Sequence, residues 1–362
     1  MATSKNDGVP RVPEAALREL GARALRAAGV PDEDAAIVAR VMVANEMRGI
    51  SHGVALLAPY IRHIEAGGMN AAPRITIERD VGATLVLNGD GGLGPLISYR
   101  AMELAIERAR RHGVAFVVAR DGNNFAAAGY YAKMAADAGM VGVAMTNADP
   151  YMAVAGGAGR TVGNNPLGCA VPGVGGQAVY LDIAMSAVAG TKLAIAAREG
   201  RSIPEGWALD ADGAPATDPS AVREGGSLVP VGGYKGSGLA VLIECLTGVL
   251  GGAAIMAEMR DWVSDPGGRS NQAHSFIAID IEPLLPLAEF KARMARLADQ
   301  VHGARRAPGA EPIFLPGEIE HGRERDALQN GVPLRGATAA GLRDLGELVG
   351  LTAEVEALLR GA

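Results

Sequence analysis

The sequence predicts a mixed α+β fold, helical at both ends and strand-rich between. Three observations lead there. Helical periodicity fills Glu14 to Arg48 and returns in the tail, and short apolar runs of strand length concentrate between residues 84 and 183. After one strand–helix–strand unit, strands and helices do not alternate as a doubly wound sheet requires. At 362 residues the chain exceeds one comfortable core, so two or three lobes are expected.

Composition removes several function classes. With 49% hydrophobic and 20% charged residues the chain reads as a soluble globular protein. A net charge of -6 argues against nucleic acid or an anionic membrane as partner, because both call for a basic face. Cys169 and Cys245 are too few for a disulfide framework or a thiolate metal site, and the six histidines show no ligand spacing, so no metal is expected. The opening stretch, MATSKNDGVPR, lacks the apolar core of a signal peptide, which predicts a cytoplasmic protein.

Glu14 to Ala28 and Asp32 to Arg48 read as helices, with Pro31 suited to a first turn and Asp32, Glu33 and Asp34 complementing the N-terminal dipole. Arg48 to Val54 then sets Ser51 and His52 between glycines before an amphipathic run, Val54 to Glu65. A histidine at a helix entrance is either a packed surface residue or an acid/base group. Thr84 to Asn88 reads as a strand, Gly89 to Gly94 satisfies G-x-G-x-x-G, Pro95 to His112 is helical, and the strand Val114 to Ala119 leads to Asp121. That is the dinucleotide-binding order. Fifty glycines make chance matches common, and a tight strand-to-helix turn explains the same residues.

An alanine-rich helix ends near Gly139, and the strand Met140 to Thr146 leads through Asn147, Asp149 and Pro150 into a glycine-dense stretch reaching Gly190. Within it Leu167 to Val171 and Gln177 to Ile183 are of strand length, and Gly163, Asn164, Asn165 and Pro166 form a turn. Small residues let backbone approach a ligand, and asparagine tolerates unusual dihedrals while offering a donor and an acceptor. Ser186 to Gly200 reads as helix. Lys235, at the start of the apolar helix Leu239 to Leu250, is either an anion contact or a solvated side chain. The apolar run continues to Ala257, but Glu244 and the Gly251-Gly252 pair favour a buried helix over a membrane span. Asn271 to Asp280 reads as a strand, Pro283 to His302 as a helix, Leu315 to Glu318 as a turn, and about Thr338 to Leu345 and Thr352 to Leu359 as helices.

Several separated pieces resemble the type 2 malate/L-lactate dehydrogenase family: RGISHGV at 48–54, FAAAGYYA at 125–132, TNADP at 146–150, GNNP at 163–166, LDIAMS at 181–186, IPEGWALDADGAPATDP at 203–219, GGYKGSGL at 232–239 and LPGE at 315–318. They occur in family order over nearly the whole chain. The resemblance implies a non-Rossmann fold with a largely antiparallel central sheet and helical lobes. It implies a helical domain from 1–78 plus 312–362, a sheet domain from 79–187 plus 270–311 carrying the cofactor site, and a smaller helical domain at 188–269. It also implies a homodimer acting on a small-molecule substrate with NAD or NADP. The cofactor is then expected against Asn147, Gly163, Asn164, Asn165, Asp182, Ile183, Ala184 and Ser186, with Lys235 and Asn271 nearby, and Gly89 to Gly94 becomes a structural turn. His52 is the candidate proton donor, with Ser51 and Asp182 orienting or charging it and Tyr60 facing the same pocket.

The departures concern chemistry. Where the family carries arginine four residues after the histidine this chain has Leu56, and where the family reads S-x-H-F-G it has Gly122-Asn123-Asn124-Phe125-Ala126, so Asn124 replaces a histidine. Arginine at the first position clamps a substrate carboxylate bidentately, and asparagine cannot exchange a proton near neutral pH. Met185 and Asn164 replace threonines, which reshapes the cofactor lining. Three readings stay open: an NAD(P)-dependent oxidoreductase working on a carbonyl or imine of a non-standard substrate, with a more apolar pocket around Leu56; a conventional 2-hydroxy-acid dehydrogenase; or a non-redox enzyme or binding protein on the same scaffold.

Overall fold

A computed structural model describes residues 9–262 and 264–360; most of the opening stretch read for a signal peptide lies outside them. The helices are α1 (Glu14–Ala27), α2 (Asp32–Met47), α3 (Leu57–Glu65, entered by a 3-10 turn at Val54–Leu56), α4 (Gly94–His112), α5 (Ala128–Asp137), α6 (Gly190–Arg198), α7 (Tyr234–Glu244), α8 (Leu287–His302), α9 (Glu318–Asn330), α10 (Gly336–Val349) and α11 (Thr352–Arg360).

The two ends of the chain share one core. Leu17, Leu25, Met42, Leu57 and Ile61 from α1 to α3 pack with Leu342, Leu345 and Val355 from α10 and α11, and Arg11–Val12 pairs with Val332–Pro333 to close the arrangement. The early and late helical patterns each present an apolar stripe that only the other can bury.

The central sheet has seven strands: β1 (Thr76–Val81), β2 (Thr84–Asn88), β3 (Val114–Gly122), β4 (Met140–Thr146), β5 (Leu167–Val171), β6 (Val179–Ile183) and β7 (Gln272–Asp280). Their order is β1-β2-β3-β7-β4-β5-β6, antiparallel at every pair except β2–β3. The sheet is therefore largely antiparallel and non-Rossmann. Helices α4 and α5 bury Ile97, Ala101 and Tyr131 against Leu85, Val117 and Phe276 of the sheet. A third core, with Met152, Val162, Leu193, Leu228 and Ile243, joins α6 and α7 to five short strands.

The parallel β2–α4–β3 unit explains the dinucleotide-like pattern without a ligand. Asn123 Nδ2 donates to the carbonyls of Gly91 (2.8 Å) and Gly92 (2.9 Å), and the Gly91 N–H donates to Asp121 O at 2.8 Å. A Cβ on Gly94 would stand 2.2 Å from the Asn123 carbonyl. The loop is filled by the protein's own atoms.

Other boundaries move for identifiable reasons. Residues 186–189, expected in a helix, stay outside it because Ser186 bridges Pro230 and the Ala187 N–H donates to Val229 O at 2.7 Å. The apolar run after Glu244 passes through a π-turn at Cys245–Val249 and ends at the Gly251-Gly252 pair. Helix α9 follows the LPGE turn unannounced: its sequence EIEHGRERDALQN buries only His321 and Ala327, too narrow a stripe for periodicity to register. No described helix is long and apolar enough to cross a membrane.

Candidate active site

The three cores leave a cavity of about 910 Å³ whose wall takes the segments 49–52, 124–128 and 314–317 in full and selected residues between 146 and 151, 164 and 184, 189 and 197, and 219 and 228, along with Gln272, Ile319 and Glu320. Its size suits a cofactor with a small substrate.

His52 enters from the turn between α2 and α3. Its carbonyl accepts from Asn45 Nδ2 at 3.0 Å, and its Nδ1 lies 3.5 Å from Ser51 Oγ, which stands 3.4 Å from Thr191 Oγ1 in the first turn of α6. Gly53 lets the turn pack against α2, since a Cβ there would sit 2.3 Å from Glu46 Oε2 and would have to push that carboxylate aside. Burial lowers the His52 pKa, which keeps the imidazole neutral and proton-accepting at neutral pH.

Asn124 lines the cavity beside it. Its Oδ1 accepts from the Tyr60 hydroxyl at 2.9 Å and from the Ala126 N–H at 3.1 Å. Tyr60 is fully buried behind Asn124 and does not itself reach the wall. Burial raises its pKa, so the hydroxyl stays a donor. Ala126, where the family carries glycine, is held at φ 69°.

Asp182, on β6, faces the start of α5. A Cβ on Gly129 would lie 2.8 Å from its Cβ and Oδ2, and Oδ2 is buried without a hydrogen bond. Burial pushes its pKa up to about 6 against the opposing pull of the Gly129 amide and the Arg48 charge, with Glu320 adding to the rise. Arg48 is buried outside the lining, 3.0 Å from Glu324 and stacked over Tyr130 and Tyr180.

The expected cofactor residues divide. Asn164 and Ala184 line the cavity with Asp182. Ile183 faces outward at 36% exposure, and Ser186 Oγ donates to Val188 O at 2.8 Å. Asn147 and Asn165 are fully buried behind the wall, tied to a carboxylate that sequence reasoning used only against a membrane span. Glu244 Oε1 accepts from Asn147 Nδ2 at 3.0 Å, and its Oε2 accepts from Asn165 Nδ2 at 2.8 Å. Gly163 is packed too, with the Ala148 carbonyl 2.2 Å from any added Cβ. Lys235 is exposed on the first turn of α7, and Asn271, at φ 47°, accepts the Asp121 N–H at 3.1 Å; neither lines the cavity. Leu56 packs on the helical core outside the lining, so the expected apolar pocket around it does not form.

Sequence reasoning missed Glu320 and the start of α6. Ala189, Gly190 and Thr191 line the cavity at the N-terminus of a nine-residue helix whose first turn carries no acid, and the space beside Gly190 is open. Free amides at the positive end of a helix dipole fit the phosphates of a dinucleotide. Gly190 was visible as a glycine at a helix start, but the expected helix began four residues earlier and hid it. Among the described residues no group of three or more His, Cys, Asp or Glu could hold a metal.

The malate/L-lactate dehydrogenase family model matches residues 12–343. A malate dehydrogenase of Pyrococcus abyssi is 38% identical over 349 residues, covering 94% of this chain and 95% of the relative. An L-sulfolactate dehydrogenase of Methanocaldococcus jannaschii is 40% identical over 297 residues, covering 82% of this chain and 85% of the relative. A ureidoglycolate dehydrogenase (NAD(+)) of Escherichia coli is 32% identical over 320 residues, 88% of this chain and 90% of the relative. Among solved structures, the sulfolactate dehydrogenase from M. jannaschii superposes with a TM-score of 0.87 at 36% identity, covering 95% and 98% of the two chains. Sequence and backbone thus agree from end to end, and this chain belongs to the malate/L-lactate dehydrogenase family, as a nicotinamide-dependent dehydrogenase.

Proposed function

We propose that the cavity transfers a hydride between nicotinamide and the carbonyl or imine carbon of a small substrate that is not held by the usual arginine clamp. The observation that carries this is the wall itself, where His52, Asn124, Asn164 and Asp182, from four separated segments, converge beside the N-terminus of α6. When bound, the nicotinamide supplies or accepts the hydride.

The start of α6 takes the cofactor phosphates, and Asn164, Asp182, Ile183, Ala184 and Ser186 form the strip along which the rest of it lies. Asn147, Gly163 and Asn165 hold that strip from behind, while Lys235 and Asn271 contribute where the cofactor extends past the cavity. His52 moves the proton, with Ser51 at its Nδ1 fixing the ring and the Asp182 charge favouring the protonated imidazole. Tyr60, through its bond to Asn124 Oδ1, leaves the Asn124 amide to donate to the substrate heteroatom. The ureidoglycolate relative is an NAD(+) dehydrogenase, which favours NAD over NADP. Exposed Leu239, Leu242, Val249 and Leu250 along and beyond α7 supply the apolar surface of a homodimer in the cytoplasm.

Fluorescence titration with NADH and NADPH tests the reading: binding of one, weakened in Asp182→Asn, is expected, and no binding of either would remove the hydride source. The 38% identity to a malate dehydrogenase favours a second reading, conventional 2-hydroxy-acid oxidation. Strong wild-type turnover of malate or lactate selects that reading. Its absence, with oxaloacetate reduction gained in the Leu56→Arg/Asn124→His variant, selects the first.

A further inference from the structure

We infer that the cavity selects a substrate carrying positive charge at its reacting nitrogen, an iminium or the corresponding amine without a carboxylate, and that Glu320 is the residue imposing this choice. The inference rests on the hydride-transfer reading and names the substrate class within it.

Acids outnumber cations among the charged side chains of the wall. Among the lining residues the acids are Asp182 and Glu320, and the single guanidinium is Arg223, an exposed residue on the wall formed with Pro219 and Val222 of the third core. Glu320 makes no ion pair or hydrogen bond among the described residues, and it is close enough to Asp182 to make ionisation there harder. The guanidinium that senses Asp182 from behind, Arg48, is ion-paired with Glu324. Arg323 stays outside the lining, its Nη1 donating to Arg48 O at 3.4 Å. A carboxylate brought to Asp182 and Glu320 would meet two like charges. A cation would meet two opposite ones in a partly enclosed space where screening is weak.

The proton inventory agrees. Reduction of a 2-oxo acid places two electrons on carbon and leaves an alkoxide that must take a proton from the enzyme. Asn124 has none to give, Tyr60 spends its own on Asn124 Oδ1, and His52, which burial keeps neutral, must first be charged before it can give one. An iminium already carries its proton on nitrogen. Hydride from reduced nicotinamide forms the C–H bond, the C=N π pair becomes the nitrogen lone pair, and a neutral amine leaves to be protonated by water. The reverse reaction removes a hydride from the neutral amine and gives the iminium. Neither direction requires an acid at position 124.

Calorimetric titration of the full-length protein, first with NADH and then with N-methylisopropylamine or oxamate, tests this. The amine is expected to bind and oxamate to bind at least about tenfold more weakly, with Glu320→Gln weakening the amine about tenfold and Glu320→Asp restoring most of the loss. Tighter binding of oxamate, or an amine affinity unchanged by Glu320→Gln in a variant that melts like the wild type, would overturn the inference. If NADH itself does not bind, the hydride-transfer reading fails. If NADH binds and the amine does not, only the substrate class fails.

Discussion

Removing the Glu244 carboxylate should loosen the cofactor wall from behind. The side chain is 2% exposed and receives three donors: Asn147 Nδ2 (3.0 Å) and the Met256 N–H (3.0 Å) at Oε1, and Asn165 Nδ2 (2.8 Å) at Oε2. In Glu244→Ala the Met256 N–H loses its partner. The two amides each keep one bond, to Ala254 O (2.8 Å) and Ala240 O (2.9 Å). With about 1–3 kcal/mol for each buried donor left short, and the two amides counted at the low end, the loss is about 3–5 kcal/mol. At about 2 °C per kcal/mol in a domain of this size, melting should fall by about 6–10 °C. Asn147 and Asn165 adjoin Thr146 and Asn164, which are in the wall, so NADH affinity should fall with stability. Glu244→Gln keeps the volume but must turn its own NH₂ toward a donor, and should fall between. Differential scanning calorimetry and NADH fluorescence on the same samples are decisive. An alanine variant melting within about 2 °C of wild type, or melting low with full cofactor affinity, would show that this carboxylate does not hold the wall.

Ala126→Gly should stabilise the protein by about 1 kcal/mol, because alanine at φ 69° pays a left-handed backbone cost that glycine does not; urea unfolding reads it, and a loss of stability contradicts the assignment. Asp182 holds its proton up to about pH 6 in the fold but only to its ordinary value near 3.8 when unfolded. The unfolded chain therefore binds fewer protons in that window, and stability falls as pH rises from about 4 to about 6, by at most about 3 kcal/mol. Asp182→Asn should flatten this part of the stability curve, and curves that stay parallel between pH 4 and 7 would refute the shift. Asn123→Ala should cost about 1–3 kcal/mol through the Gly91 and Gly92 carbonyls yet leave NADH affinity unchanged, whereas a cofactor seated on Gly89 to Gly94 would be lost.

Elements with a wide apolar face were legible in the sequence. Helices α1, α2 and α4 and strands β2, β4 and β5 fall within a residue or two of expectation, because each carries enough buried apolar side chains to mark its length. Strand β1 is exposed at every position, and α9 buries two residues, so neither leaves a period to read. Of the site, His52, Asn124, Asn164, Asp182 and Ala184 sit in one wall. What stayed hidden was side-chain reach. Sequence cannot tell that Asn147 and Asn165 turn inward to Glu244 while Asn164, one residue from Asn165, lines the cavity. Nor can it tell that Tyr60 acts through Asn124 instead of touching the wall.

The two glycine-marked turns that begin helices have opposite fates, and the reason is local. Before α4, Gly89 to Gly94 has the spacing for a pyrophosphate, but β3 runs parallel to β2 and carries Asn123 directly under the loop, where its amide consumes two carbonyls and its own carbonyl blocks any side chain at Gly94. A phosphate there would have to displace bonds the protein already makes. Before α6, Ser186 bridges Pro230 and the Ala187 N–H donates to Val229 O at 2.7 Å, after which the helix begins with open space beside Gly190 and no acid in its first turn. Anion affinity belongs to the unsatisfied N–H groups and not to the glycines. The turn open to an anion is therefore the one before α6, where the space beside Gly190 is unfilled.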